Sequence, residues 1–269
     1  MQKRILSVHD ISCLGKCSNT AALPILSAAG HECVILPTAL LSTHTGGFVN
    51  NTFLDLTDEM RKILQHWESM HLRFDAVYTG YFGSAEQLTI VRDYMKDKEL
   101  LRFIDPVLGD HGELYNIYDD AYVACMREYC READVLTPNM TEAALLAGMP
   151  YRGDRYEEND MEAILDGLFR MEVEKIVITG VRFGEKEIGL VVADRRTGLR
   201  EHFTTPYADL FFPGTGDTLA SALCAKLVAD VPFAQAAREA LEFTYRSIQD
   251  TIPTDIRYGL CFEQELKAL

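Results

Sequence analysis

The chain has 269 residues, 48% of them apolar, enough to bury a full hydrophobic core in one large α/β domain or two small ones; we read residues 1–269 as a single domain. With 26 Lys and Arg against 41 Asp and Glu, a formal charge of −15, it lacks the clustered cations that phosphate neutralisation demands, which excludes nucleic acid and points to a small-molecule substrate. It has no run of 18 apolar residues and no apolar leader segment, and its seven cysteines are scattered, so we expect no membrane span, reduced thiols and a cytoplasmic location.

In chain order, RILSV (4–8) reads as a strand, 18–29 as a helix, CVILP (33–37) as a strand and 58–72 as a helix. AVYTG (76–80) is a strand before a helix over 84–97, and LRFID (101–105) one before a helix over 119–132. DVLTP (134–138) leads to helices over 141–147 and 157–171, and KIVITG (175–180) precedes a hairpin of EIGLVVAD (187–194) and LREHFTTPY (199–207) across the RRTG turn. Helices over 216–229 and 232–250 close the chain. This alternation, without repeat or linker, predicts βαβ units around a largely parallel sheet. Cys13 and Cys17 near His9 lack a second pair at zinc spacing and read as packing residues, as do Cys125 and Cys130.

Ligands of open α/β sheets bind beyond the carboxyl ends of the strands. The chain puts polar or special-backbone residues there five times: His9-Asp10, Gly80-Tyr81, Asp105-Pro106, Thr137-Pro138-Asn139 with Glu142 one turn on, and Thr179-Gly180. Asn139 or Thr141 suits a helix cap and Glu142 suits the helix dipole. Beside Asp105, however, the same oxygens make a set that Mg²⁺ accepts. Before the last helices stands FFPGTGDTLASALCAKLV (211–228). Gly214 and Gly216 permit a tight turn and close approach by a ligand, and the helix start they open is an anion site. An acid beside bound phosphate suffers repulsion, so Asp217 needs a purpose, and proton acceptance from an attacking hydroxyl supplies one. A phosphate cradle, a hard cation and a base together describe phosphoryl transfer, without a P-loop or a protein-kinase loop.

These residues resemble the ribokinase-like superfamily through Gly214-Thr215-Gly216-Asp217, and its pyridoxal (vitamin B6) kinases through longer blocks. Those blocks are Asn19 with Ala21-Ala22, STHTG (42–46), TGYFGSAEQ (79–87), DPVLGD (105–110), TPNMTEAALLAG (137–148) and VITG (177–180). The resemblance covers residues 4 to about 230. It implies a three-layer α/β/α fold and ATP-dependent phosphorylation of the 5′-hydroxymethyl group of a B6 vitamer, with Asp217 as base and the backbone of 214–216 holding the phosphoryl group. It further implies that Asp105 and Glu142 organise Mg²⁺, that Asp110, Tyr115, Asn139, Thr179 and Thr215 serve the nucleotide phosphates, and that Asp10, Cys17, His44, Thr45 and Tyr81 meet the pyridine ring. A homodimer and a flap at HGELY (111–115) are implied as well, and a monovalent cation is left open. At Asp10 the better-known kinases carry a serine, so an acid there bears on which vitamer is preferred. The alternatives are a hydroxymethylpyrimidine kinase of the same superfamily and a non-catalytic ligand-binding regulator on this fold.

Overall fold

The structure, a computed structural model, describes residues 2–155 and 157–269. The chain divides into two compact units, one of residues 1–101 with 210–269 and one of residues 102–209. The first begins with β1 (Arg4–Ser12), α1 (Asn19–Ala28), β2 (Glu32–Leu41), β3 (Phe53–Asp55), α2 (Thr57–Ser69), β4 (Ala76–Thr79) and α3 (Ala85–Met95). The second takes all but the first residue of β5 (Leu101–Ile104) and runs through β6 (Gly109–Asp110), β7 (Glu113–Leu114), α4 (Asp120–Cys130), β8 (Val135–Leu136), α5 (Met140–Ala147) and α6 (Glu158–Phe169) to β9 (Lys175–Arg182), β10 (Glu187–Asp194) and β11 (Leu199–Pro206). The first unit then closes with α7 (Thr215–Val228) and α8 (Phe233–Thr251).

In the first unit the strand order is β4-β1-β2-β3, with β1 parallel to both neighbours and β3 antiparallel to β2. The middle of β1 is buried on both faces, so Ile5, Leu6 and Val8 are apolar whichever face they take, with Ser7 buried among them. Residues 218–225 of α7 are buried on every side, and the helix packs on α1 and α8; the small side chains of Ala220, Ser221, Ala222 and Ala225 let it lie close. Ser221 also reaches the Tyr78 hydroxyl of β4 at 3.4 Å. In the second unit β5, β8 and β9 are parallel, β10 and β11 add antiparallel strands, and β6 with β7 makes a separate small hairpin.

Every expected helix is present within two or three residues, and the differences lie in the strands. β1 runs on through His9 and Asp10, because Ile11 and Ser12 continue the ladder against Leu40 and Leu41. Those two polar residues are therefore inside the strand, at a point where the register slips between His9 and Ile11. Likewise β9 carries Thr179 and Gly180 within it, since Val181 and Arg182 pair with β10. Strand β3 and the two-residue strands β6 and β7 had no counterpart in the sequence pattern; all three residues of β3 are exposed, so no buried face marks it. The cysteines are all free thiols, but Cys13 and Cys125 are exposed and do not pack as expected. Among the described residues no helix is long and apolar enough to cross a membrane.

Candidate functional site

The Gly-Thr-Gly-Asp stretch forms the start of α7. Gly214 sits at its N-cap with φ 78°, the left-handed region. A β-carbon on Gly214 would lie 2.2 Å from the Lys16 carbonyl oxygen, so only glycine fits. Thr215 and Thr218 lock the turn by donating their hydroxyls to the Phe212 and Gly214 carbonyls, each at 2.8 Å. No side chain caps α7, and around the Gly216 α-carbon nothing stands within 4 Å of a would-be methyl. An uncapped helix start facing open space leaves its first N–H groups available to an anion.

Asp217 follows in that first turn. Its carboxyl is enclosed although the residue keeps some surface open, and burial pushes its pKa up to about 6; the Ser18 N–H pulls the other way and the Asp10 charge adds to the rise. Asp10, 5% exposed, is raised by burial and steadied by the hydroxyls of Ser18 and Ser12, the latter at 3.0 Å. Cys17 feels both acids, and burial first and their charges second hold its thiol well above the usual range. Tyr81, with its phenol pushed up to about 12 by burial and by Asp10 and Asp55, hangs from a loop that Gln87 organises. The Gln87 amide accepts the Gly83 N–H at 2.8 Å and donates to the Thr38 carbonyl at 2.9 Å, while the Thr38 hydroxyl donates to the Tyr81 carbonyl at 2.9 Å.

His44 is buried, and its Nε2 meets the Arg257 carbonyl at 2.9 Å. A carbonyl only accepts, so Nε2 carries the proton and Nδ1 is a bare acceptor, without a partner in the structure. Phe48 lies edge-on to His44 at 5.0 Å. Thr45 is exposed beside it. The first unit thus gathers Asp10, Cys17, His44, Tyr81 and Asp217 near the glycine turn, an acceptor-rich set of neutral and acidic groups. Two contributors escaped the sequence: Phe48, which belongs to no periodic pattern, and the tail after α8. The tail holds the loop before α1 through Lys16 N–H to the Tyr258 carbonyl at 3.0 Å, as well as His44. Backbone bonds of that kind leave no residue signature.

The second unit gathers the other acids around the start of α5. Asn139 and Glu142 form a capping box: Asn139 Oδ1 accepts the Glu142 N–H at 3.0 Å and Glu142 Oε2 accepts the Asn139 N–H at 2.9 Å. The cap is therefore Asn139 rather than Thr141. Glu142, 4% exposed, also accepts the Leu108 N–H at 3.0 Å, and the Gly109 N–H points at it. Burial pushes its pKa up, these three donors oppose the rise, and the Asp110 charge adds to it. Asn139 Nδ2 donates to the Gly109 carbonyl at 2.8 Å and Thr141 accepts the Gly112 N–H at 2.9 Å, so α5 anchors the β6–β7 hairpin where the flap was expected. Asp105 is buried at the end of β5, and Thr179 bridges to Asn139. Tyr115 stands at the base of the hairpin, 43% exposed, its N–H bonded to the Leu108 carbonyl.

The family model described as phosphomethylpyrimidine kinase matches residues 21–260. A pyridoxal kinase from Dictyostelium discoideum is 26% identical over 93% of this chain and 87% of its own. Among solved structures, pyridoxal kinase from Lactobacillus plantarum is 34% identical with TM-score 0.92, covering 100% of this chain and 96% of that one. A Bacteroides thetaiotaomicron protein named for phosphomethylpyrimidine kinase and crystallised with pyridoxal is 36% identical with TM-score 0.94, over 100% and 96%. The fold is accordingly three-layer α/β/α around a mostly parallel sheet. With matches of this length on a chain that carries the glycine turn, the enclosed aspartate and the capped acidic cluster, the protein belongs to the phosphomethylpyrimidine kinase family, and within the ribokinase-like superfamily to the pyridoxal kinases.

Proposed function

We propose that the chain uses ATP to phosphorylate the 5′-hydroxymethyl group of pyridoxal, pyridoxine or pyridoxamine, and that residues 1–269 act as one catalytic domain. The observation that carries this is the enclosed Asp217 carboxyl on the uncapped start of α7, with open space at Gly216. Asp217 takes the proton of the attacking hydroxyl, and the N–H groups of 214–216 receive the charge on the phosphoryl group as it moves in line. Asp10, Cys17, His44, Thr45 and Tyr81 meet the ring; His44 Nδ1 and Asp10 both accept, so they favour donors on the substrate. Asp110, Tyr115, Asn139, Thr179 and Thr215 serve the nucleotide.

The oxygen-only chemistry of Asp105 and Glu142 suits a hard cation, and the Glu142 carboxyl, pushed up to about 8 by burial, would ionise more readily with a cation beside it. Asp105 and Glu142 would organise Mg²⁺, directly or through water. Bound Mg²⁺ supplies neutralisation of the phosphate charge. A homodimer, implied by the resemblance, stays part of the proposal, with mass in solution as its check.

The defining experiment measures ADP release with each of the three vitamers and with hydroxymethylpyrimidine. We expect turnover with at least one vitamer; turnover with the pyrimidine alone would overturn the substrate assignment, and binding without turnover would favour a regulator. Two expected outcomes refine it. Only ionised Asp217 accepts a proton, so kcat/KM should fall about tenfold per pH unit below about 6 and level off above it. A rate unchanged between pH 5 and pH 8 would remove Asp217 as base. Glu142→Gln places an amide N–H₂ among backbone donors and leaves one of them unmatched, a loss of about 1–3 kcal/mol in stability. It should lower Tm and raise the Mg²⁺ concentration for half-maximal rate; a lowered Tm with unchanged metal dependence would leave Glu142 a helix cap only.

A further inference from the structure

β1 and β2 do not keep one register to their ends. His9 pairs with Pro37 and Ile11 with Leu40, so Asp10 alone faces two residues of β2, Thr38 and Ala39. Such a bulge is uncommon between parallel strands; it interrupts the ladder, and the backbone groups it displaces need partners inside a buried sheet. Two side-chain amides stand there. Asn19, 2% exposed at the start of α1, donates Nδ2 to the His9 carbonyl at 2.7 Å and accepts the Ser7 hydroxyl at 2.8 Å, so it grips β1 just before Asp10. Gln87, fully buried in the first turn of α3, donates Nε2 to the Thr38 carbonyl at 2.9 Å and accepts the Gly83 N–H at 2.8 Å. The Thr38 hydroxyl, on the bulge itself, donates to the Tyr81 carbonyl at 2.9 Å.

We propose that Asn19 and Gln87 are positioning residues for vitamer recognition, clamping the two sides of the β1–β2 bulge so that Asp10 and Tyr81 keep fixed places. This deepens the reading of Asp10 and Tyr81 as ring contacts and rests on it. A bulge re-aims the side chains around it, and the new aim is held only while the freed backbone groups are bonded. An amide offers a donor and an acceptor at one side-chain end without a charge, so it can take a backbone carbonyl with one atom and be oriented through the other. Ser7 orients Asn19 in that way, and Gly83 orients Gln87. The two vitamer contacts sit on either side of the device: Asp10 stands opposite the bulge on β1, and Tyr81 is tied to it through Thr38. Both amides belong to stretches that resemble the kinases, Asn19 with Ala21-Ala22 and TGYFGSAEQ, yet phosphoryl transfer itself gives neither a task.

The test measures Tm and steady-state kinetics of the whole chain carrying Asn19→Ala or Gln87→Met, with Ser7→Ala and Thr57→Val as controls. Each control takes one hydrogen bond from the same two amides and leaves the bonds to the His9 and Thr38 carbonyls in place. All of these variants lose a buried hydrogen bond and should lose Tm. Only Asn19→Ala and Gln87→Met should raise KM for the vitamer, by about tenfold with kcat within about threefold, because a displaced ring contact removes binding that ground and transition states share. In an Asp10→Ala background Asn19→Ala should alter KM by less than about twofold, the signature of a coupled pair. Parent-like KM in Asn19→Ala or in Gln87→Met overturns the proposal, as does an equal KM rise in the controls or in the Asp10→Ala background. Should either variant fail to fold, Thr38→Val decides: it keeps the backbone and removes only the hydroxyl that holds Tyr81, so KM should rise several-fold, and a parent-like KM overturns the proposal. A parent enzyme that turns over no vitamer is a different result; it removes the kinase assignment on which the proposal stands.

Discussion

Asp217→Asn is expected to lower kcat by at least about 10²-fold, the usual contribution of a general base, with ATP still bound and the fold no weaker. The two halves of that expectation come from the same burial. The carboxyl has a pKa of about 6 in the folded protein against 3.8 when solvated, so the folded state holds its proton more tightly than the unfolded chain does. Its contribution favours folding fully below pH 3.8 and is lost as the pH rises through about 6. At pH 7 to 8 the ionised side chain is a net cost, on the order of 1–3 kcal/mol once residual solvent access is allowed for. Asparagine keeps an oxygen for the Ser18 N–H and carries no charge, so Tm should hold or rise while turnover collapses. A stable variant with near-normal rate would show that the proton leaves by another route. A variant that unfolds would show that the carboxylate is a structural anchor instead.

Such a buried charge was legible before any coordinates, because glycines and an acid ahead of small apolar residues conflict with plain helix design. The parallel strands were legible for a related reason: burial on both faces suppresses the polar alternation, as at Ile5, Leu6 and Val8 of β1 and Ile176, Val177 and Ile178 of β9. What escaped was set by long-range backbone geometry. The extension of β1 through His9 and Asp10 depends on Leu40 and Leu41 pairing beyond a register slip, and polar residues in mid-strand signal an end rather than a continuation. The role of the tail rests on the Arg257 and Tyr258 carbonyls, whose acceptors every residue type shares. At Asn139 and Glu142 the cap and the ligand-bearing acid were set against each other. The capping box is real, and it holds the acid buried at the start of α5.

Gly214→Ala should be the most damaging single methyl in the first unit. The new carbon would sit 2.2 Å from the Lys16 carbonyl oxygen and 3.2 Å from Cys17 Sγ, at φ 78°. Lys16 cannot step aside cheaply, because its N–H is bonded to the Tyr258 carbonyl at 3.0 Å and it bridges to Gly259. Left-handed strain in alanine costs about 1–2 kcal/mol and the overpacking about 1–3 kcal/mol more. The helix start must therefore shift, and a displacement near 1 Å at a reacting centre is worth about 10²-fold in rate. We expect a markedly lower Tm together with that loss. Gly216→Ala separates the two effects: its methyl meets nothing within 4 Å, so the fold should be kept or slightly strengthened by the better helix former. If the phosphoryl group occupies that space, the rate falls although Tm does not. Full activity in Gly216→Ala would place the transferring group elsewhere, and parent-like Tm and rate in Gly214→Ala would show that the turn yields without consequence.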